Sequence, residues 1–299
     1  FDVILILEVI ELPKLELLFM QALACTSELQ FTTIMSMDLH LKDRVVMVAG
    51  ASRGLGYSVA KIAAQEGARL SICSRTKANI EAAADSLHTD SGAAARGFAV
   101  DMSKGEAISR WVKDTLELYG TVDAVLVNAG GPPAGTFFDF EDPEWEQAFQ
   151  LTLMSAVRLI REVAPVMQDK GRGSILTLTS ISVKQPIGNL ILSNVMRTGV
   201  TSLVKSVSNE LAPYGIRVNS IVPGYFATDR LKSLDAKNAE ARGISAEEMT
   251  KERQRSVPLG RDGNPDEFGR SAVFLLSDAA GYVTGHSFVI DGGILRALM

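Results

Sequence analysis

The residues Gly50-Ala51-Ser52-Arg53-Gly54-Leu55-Gly56 have the chemistry of a turn built to receive phosphate. Glycine permits a tight bend, and without a side chain it lets a diphosphate approach the backbone N–H groups at the start of a following helix. The turn closes the apolar run VVMVAG (45–50) and opens a helical period, which is the context such a motif requires. Downstream, Ser74-Arg75-Thr76 stands where a NAD-specific protein would place Asp or Glu against the ribose hydroxyls. No carboxylate is there. Arg53 and Arg75 can instead flank a 2′-phosphate, for which a guanidinium fork is well shaped. The expected cofactor is therefore NADP(H). Asp101-Met102 and Asn128-Ala129-Gly130-Gly131 each follow an apolar run. Asp101 can accept from an adenine amino group, and Asn128 can bridge strands beside a ribose. In isolation each is also an ordinary turn former.

These residues need elements to hold them. Short apolar runs at 45–50, 68–74, 96–100, 122–127, 173–180, 216–222 and 286–290 read as buried strands. Helical periods fall between them at 54–67, 77–87, 106–119, 143–168, 192–211 and 266–276, and Pro143 suits a first turn. Alternation of this kind predicts an α/β fold: a doubly wound parallel sheet of about seven strands, Rossmann-type, in one domain. Ligands in such sheets lie outside the C-terminal strand ends. The charged stretch 228–258 lacks a strand pattern and follows the sixth strand, so it is expected to be a lid.

Composition narrows the function. The chain has 299 residues, 46% of them hydrophobic, and a net charge of −5, which suits a soluble globular protein and argues against a nucleic-acid partner. Two cysteines, Cys25 and Cys73, cannot build a disulfide framework. His40, His88 and His286 lack metal-ligand spacing, so no metal is expected. A reduced, cytoplasmic setting follows.

Residues 1–36 read differently from the rest. The run FDVILILEVIELPKLELLFM is broken by Asp2, Glu8, Glu11, Lys14 and Glu16, too many charges for a membrane span. Its acidic start is wrong for a signal peptide. We expect a non-native or poorly ordered extension, with a natural start at Met35 or Met37 and the domain over 37–299. Alternatives are an amphipathic arm on a partner subunit and a lipoprotein-type cleavage near Cys25.

Residues from about 40 to 295 resemble the short-chain dehydrogenase/reductase family, of the type that includes 3-oxoacyl-[acyl carrier protein] reductases. The resemblance rests on AGASRGLG (49–56), VDMS (100–103), VNAGG (127–131), LTSIS (178–182), ELAPYGIRVNSIVPG (210–224) and VTGHSFVIDGG (283–293), in the family's order and spacing. It implies cofactor contacts from Gly50, Ser52, Arg53, Gly54, Leu55 and Gly56, from Ser74, Arg75, Asp101 and Met102, and from Asn128, Ala129 and Gly130. Pro223, Gly224, Phe226 and Thr228 match the loop over the nicotinamide half, where Thr228 would bond the carboxamide. A homo-oligomer, tetramer or dimer, is also implied.

The family's catalytic set is only partly present. Ser180 matches the Ser that ends the fifth strand. Thirteen residues on, where the family has Tyr, stands Ser193, and four further, where it has Lys, stands Arg197. Thr152 occupies the place of the usual Asn. Tyr is the family's proton donor, its pKa of about 10 lowered by a neighbouring cation. A Ser hydroxyl is shorter and a far weaker acid. Arg197 lies one helical turn from Ser193 and can bond ribose hydroxyls or stabilise a developing alkoxide, but it cannot relay a proton. Tyr225 and Lys184 are conceivable substitute donors, or a packing residue and a solvated one. Ser193 is either part of the site or only a small helix residue. The sequence therefore predicts an NADP(H)-dependent oxidoreductase acting on a carbonyl or secondary alcohol, with an atypical proton-donating site. The alternative is an NADP(H)-binding or regulatory protein with little catalysis.

Overall fold

Along Val45–Ala49 (β1) all five side chains are buried: Val46 and Val48 face one side, Met47 and Ala49 the other. Burial on both faces is what a parallel sheet covered by two helix layers demands. The computed structural model describes residues 38–296, and β1 is the centre of their sheet. The remaining strands are Arg69–Ser74 (β2), Ala95–Ala99 (β3), Ala124–Val127 (β4), Gly173–Leu178 (β5), Ile216–Pro223 (β6) and Ser287–Ile290 (β7). All pairings are parallel, in the order β3-β2-β1-β4-β5-β6-β7. The sheet is the seven-stranded doubly wound architecture predicted. Its winding reverses between β1 and β4, which opens a crevice at their C-terminal ends.

The helices are Gly54–Gln65 (α1), Lys77–Ser91 (α2), Gly105–Tyr119 (α3), Asp142–Ala148 (α4), Ser155–Lys170 (α5), Ile191–Leu211 (α6), Asp229–Arg242 (α7), Ala246–Ser256 (α8) and Pro265–Leu276 (α9). One core lies under α1, α2 and α9, where Val48, Ile72, Ile80 and Phe268 meet. The other lies under α3, α5 and α6 and joins Met47, Trp111, Leu159 and Val204. The expected extension at 1–36, with Cys25, Met35 and the choice of start, lies outside the described residues.

One element differs from expectation. The period over 143–168 predicts one α-helix, but a π-helical segment, Phe149–Met154, separates α4 from α5. The wider turn re-phases the apolar stripe. Ala148, with Trp145, packs against Leu192 and Met196 in a small satellite core, whereas Leu159 and Val163 pack on the main sheet. A constant 3.6-residue period could not serve both. The segment 228–258, which lacks a strand pattern, is built of the two helices α7 and α8. Thr228 caps α7 by accepting from the Leu231 N–H at 3.3 Å, and Ser245 with Glu248 forms a capping box on α8.

Below β4, Asp123 accepts from the Val45 N–H at 2.8 Å and pairs with Lys170 and Arg44. Burial would raise its carboxyl, but the Lys170 hydrogen bond, the Val45 N–H and the nearby cations outweigh that and hold it below the ordinary value. A depressed carboxyl contributes stability above the unfolded pKa of about 3.9, and that contribution is lost as pH falls through the folded value. Asp123→Asn should therefore lower stability by about 1 kcal/mol at pH 7. The difference from wild type should shrink progressively in urea melts as pH is taken below about 3.9.

Candidate active site

The turn between β1 and α1 is built as its glycines require. Gly50 and Gly54 have φ of +65° and +64°, in the left-handed region. A Cβ on Gly56 would lie 2.2 Å from the Gly50 carbonyl oxygen, so only glycine lets α1 pack this close to the turn. α1 has no side-chain cap and no acidic residue in its first turn. Its leading N–H groups are therefore open to an anion, which the helix dipole favours. Asn128 ties the two strands across the crevice by donating from Nδ2 to the Ala49 carbonyl at 3.1 Å. These features fit a dinucleotide.

On the β2 side, Ser74 is partly exposed and Arg75 is exposed, beside Asp101. Burial opposes ionisation of Asp101, but hydrogen bonds from the Ser103 N–H and hydroxyl and the charges of Lys104 and Arg75 keep it ionised and an acceptor. Met102 turns its side chain into the core, where its sulfur accepts from Cys73 Sγ at 3.9 Å. Arg53 is exposed and lies 3.7 Å from Asp229, the first residue of α7. That pair holds turn and lid only loosely, as exposed ion pairs do.

Leu55, Ser180, Gly224, Phe226 and Thr228 line one cavity of about 430 Å³, closed over by α7 and α8. Gly224 is needed because a Cβ there would strike Asp291 at 2.7 Å. Phe226 is buried and stacks edge-on against Phe268, so it anchors the loop. Ser180 sits at the end of β5, where its Oγ accepts from the Ser182 N–H at 3.2 Å.

Neither Ser193 nor Arg197 lines this cavity. Ser193 is buried on α6, and its Oγ accepts from Arg197 Nε at 3.1 Å. Arg197 Nη1 donates to the carbonyls of Leu178 and Thr179, at 2.9 and 3.1 Å. The guanidinium thus braces the two residues before Ser180 from behind. Of its five N–H donors, the two on Nη2 have no hydrogen bond to a described residue. Burial, with Arg230 adding to it, pulls its pKa down to about 10, so it remains a cation at neutral pH. Thr152 lies on the π-helical segment with its Oγ1 buried and without a partner among the described residues.

The substitute donors fare unequally. Lys184 is exposed and does not line the cavity. Tyr225 does line it, with Arg253 stacked 5.1 Å from its ring centre. Burial raises the Tyr225 phenol, Arg253 opposes this and Asp235 adds to it, so it is a weaker acid than free tyrosine.

Three features escaped the sequence reading. Asn194 grips the cavity wall, donating from Nδ2 to the Ile187 carbonyl at 2.9 Å. Arg230 reaches from α7 to the Pro132 carbonyl at 3.1 Å. Arg253 is buried between Asp235 and Asp262. The one available signal was the uninterrupted run Ser193-Asn194, a polar pair on an otherwise apolar helix start.

A family model described as enoyl-(acyl carrier protein) reductase matches residues 50–295. The chain is 31% identical over 254 residues to a 3-oxoacyl-[acyl-carrier-protein] reductase of Chlamydia trachomatis, covering 85% of this chain and 98% of that one. It is 36% identical over 263 residues to an L-rhamnose 1-dehydrogenase (NAD(P)(+)) of Azotobacter vinelandii, covering 85% and 97%. The L-sorbose reductase of Gluconobacter frateurii, solved with NADPH and L-sorbose, superposes with a TM-score of 0.84 at 29% identity, covering 88% and 100%.

Proposed function

The chain belongs to the short-chain dehydrogenase/reductase family of oxidoreductases, and on that premise we propose that it is an NADP(H)-dependent reductase of a carbonyl, or dehydrogenase of the matching secondary alcohol, working without the family's Tyr–Lys pair. The observation that carries this reading is a single cavity shared by Leu55 of the phosphate-type turn, Ser180 at the end of β5 and Thr228 at the lid's start. The NADPH seen in the L-sorbose reductase supports the cofactor, as does the lack of a carboxylate at Ser74-Arg75-Thr76.

The N–H groups of α1 and the Gly54 backbone would take the diphosphate, Asp101 the adenine, Arg75 with Arg53 the 2′-phosphate, and Thr228 the carboxamide. When bound, the reduced nicotinamide supplies the hydride. Ser180 Oγ–H then donates to the substrate's carbonyl oxygen and fixes its orientation. Arg197 keeps a permanent positive charge behind Ser180, and its free Nη2 donors suit a ribose hydroxyl. Ser193, spent on Arg197, transfers no proton. Water at the cavity mouth supplies it.

The test is loss of NADPH absorbance over a panel of 3-oxoacyl thioesters, diketones and ketoses. A second reading, an NADP(H)-binding protein with little turnover, is favoured by the absence of Ser193 and Arg197 from the cavity lining. Tight NADPH binding with no turnover on the whole panel would select it.

Cofactor choice is tested separately. Arg75→Asp should weaken NADPH binding by roughly 10- to 100-fold, the value of a charge-assisted phosphate contact, and improve NADH binding. Unchanged dissociation constants in a fluorescence titration would remove Arg75 from the phosphate site.

A further inference from the structure

We propose that Arg230 is a substrate-specificity residue that binds a carboxylate, so that the preferred substrate is a free oxo acid rather than a neutral ketone or an ester. The proposal rests on the reductase reading and names the substrate class for that same cavity.

The argument begins with which charges are already matched. Four ionisable side chains of fixed charge line the cavity: Arg230, Asp235, Glu252 and Arg253. Arg253 is held by Asp235 and Asp262. Glu252 is paired with Arg242 at 2.7 Å. Arg230 alone of the four has no carboxylate within ion-pair distance among the described residues. Its one hydrogen bond among the described residues goes to a neutral acceptor, the Pro132 carbonyl. Its side chain lies over Gly131, where a Cβ would approach Nη2 to 3.3 Å. The guanidinium is thus carried from the first turn of α7 to the loop after β4, at the crevice where Ser180 opens.

A second unmatched cation lies behind. Among the described residues Arg197 is bound only to carbonyls and the Ser193 hydroxyl, and Arg230 is near enough to depress it electrostatically. Two guanidinium groups without a counter-anion repel each other, and an anion bound at Arg230 relieves this cost. On the lid side of the cavity lining, the carboxylates of Asp235 and Glu252 outnumber the single cation Arg253. Charge is therefore polarised along the cavity, positive near Ser180 and negative toward α8. A substrate with a carboxylate beside its carbonyl matches that order, and a planar carboxylate matches a guanidinium fork. The cofactor diphosphate is the competing anion, but it already has the open N-terminus of α1 and the Gly54 backbone.

The test loads the protein with NADP+, so that an oxo compound binds without reduction. Acetoacetate and 2-oxohexanoate are titrated calorimetrically against their methyl esters, in wild type and Arg230→Gln. Wild type should bind at least one of the acids about tenfold more tightly than its ester. Arg230→Gln should lose that factor, leave the ester unchanged and keep NADP+ affinity within about twofold, while Arg230→Lys recovers part of it. Equal binding of acid and ester, or no binding of either acid, overturns the proposal. So does a fall in NADP+ affinity that matches the loss for the acid, which assigns Arg230 to the diphosphate. Selective acid binding with no turnover on NADPH would uphold the clamp and sink the reductase reading.

Discussion

Arg253→Met is expected to cost about 3–5 kcal/mol of stability and to lower the melting temperature by roughly 10 °C for a domain of this size. The side chains of Arg253 and Asp235 are only 7% and 6% exposed. Nε and Nη2 reach Asp235 at 3.0 and 2.7 Å, and Nη1 engages Asp262. Burial opposes the charge on Arg253, but the two carboxylates more than offset it and hold the group protonated. Methionine fills much of the space but leaves two carboxylates without their cation. Thr250 and Gln254 can each satisfy only one oxygen. The penalty is the exposure of unpaired charge to a low-dielectric interior, so replacing all three by apolar residues should return most of the loss. The cluster joins α7, α8 and the loop before α9, so proteolysis of the variant should begin within 229–262. A melting temperature within 2 °C of wild type, with that segment still protected, would show that the cluster does not hold the lid.

Ser180→Ala should reduce kcat by about 10²–10³-fold, the usual loss when one donor to a developing oxyanion is removed. NADPH affinity should not change, because the proposed role gives Ser180 a contact on the substrate side alone. Arg197→Met should lose a similar factor and also weaken NADPH several-fold. It removes both the charge behind Ser180 and the brace on the Leu178 and Thr179 carbonyls. Arg197→Lys keeps the charge and one brace, and should retain activity within about tenfold of wild type. Stopped-flow hydride transfer with the best substrate of the panel separates these effects from product release. If both alanine and methionine variants turn over normally, the chemistry sits elsewhere in the cavity, and Tyr225 becomes the first residue to examine.

The sheet was legible because parallel strands buried on both faces leave short β-branched runs between helical periods. VVMVAG and IRVNSIV are unambiguous on that ground. The turn at 50–56 was legible because a backbone that bends through the left-handed region at Gly50 and Gly54 and packs tightly at Gly56 tolerates little but glycine. The break at 149–154 was not, because α4 and α5 serve different cores and the π-helical turn absorbs the change of phase. The helices of the lid were hidden by composition: most of their residues are charged, and no apolar stripe marks a buried face. Thr228 and the Ser245–Glu248 spacing were the available capping signals. Arg253 and its partners lie 18 and 9 residues apart on separate segments, so no local pattern links them. Ser193 was visible as a departure, but that its hydroxyl turns to Arg197 rather than the cavity depends on how α6 lies against β5.

Cys73 gives the crevice a built-in reporter. It lies at the end of β2 beneath the Gly50 turn, and burial pushes its thiol up to about 12. A neutral, enclosed sulfur reacts with alkylating reagents only while the strand end is transiently open. The rate at which iodoacetamide labels that peptide therefore measures how often the glycine turn lifts off the sheet. A ligand seated on the turn would slow the labelling by its own occupancy, giving affinity without any catalytic assay.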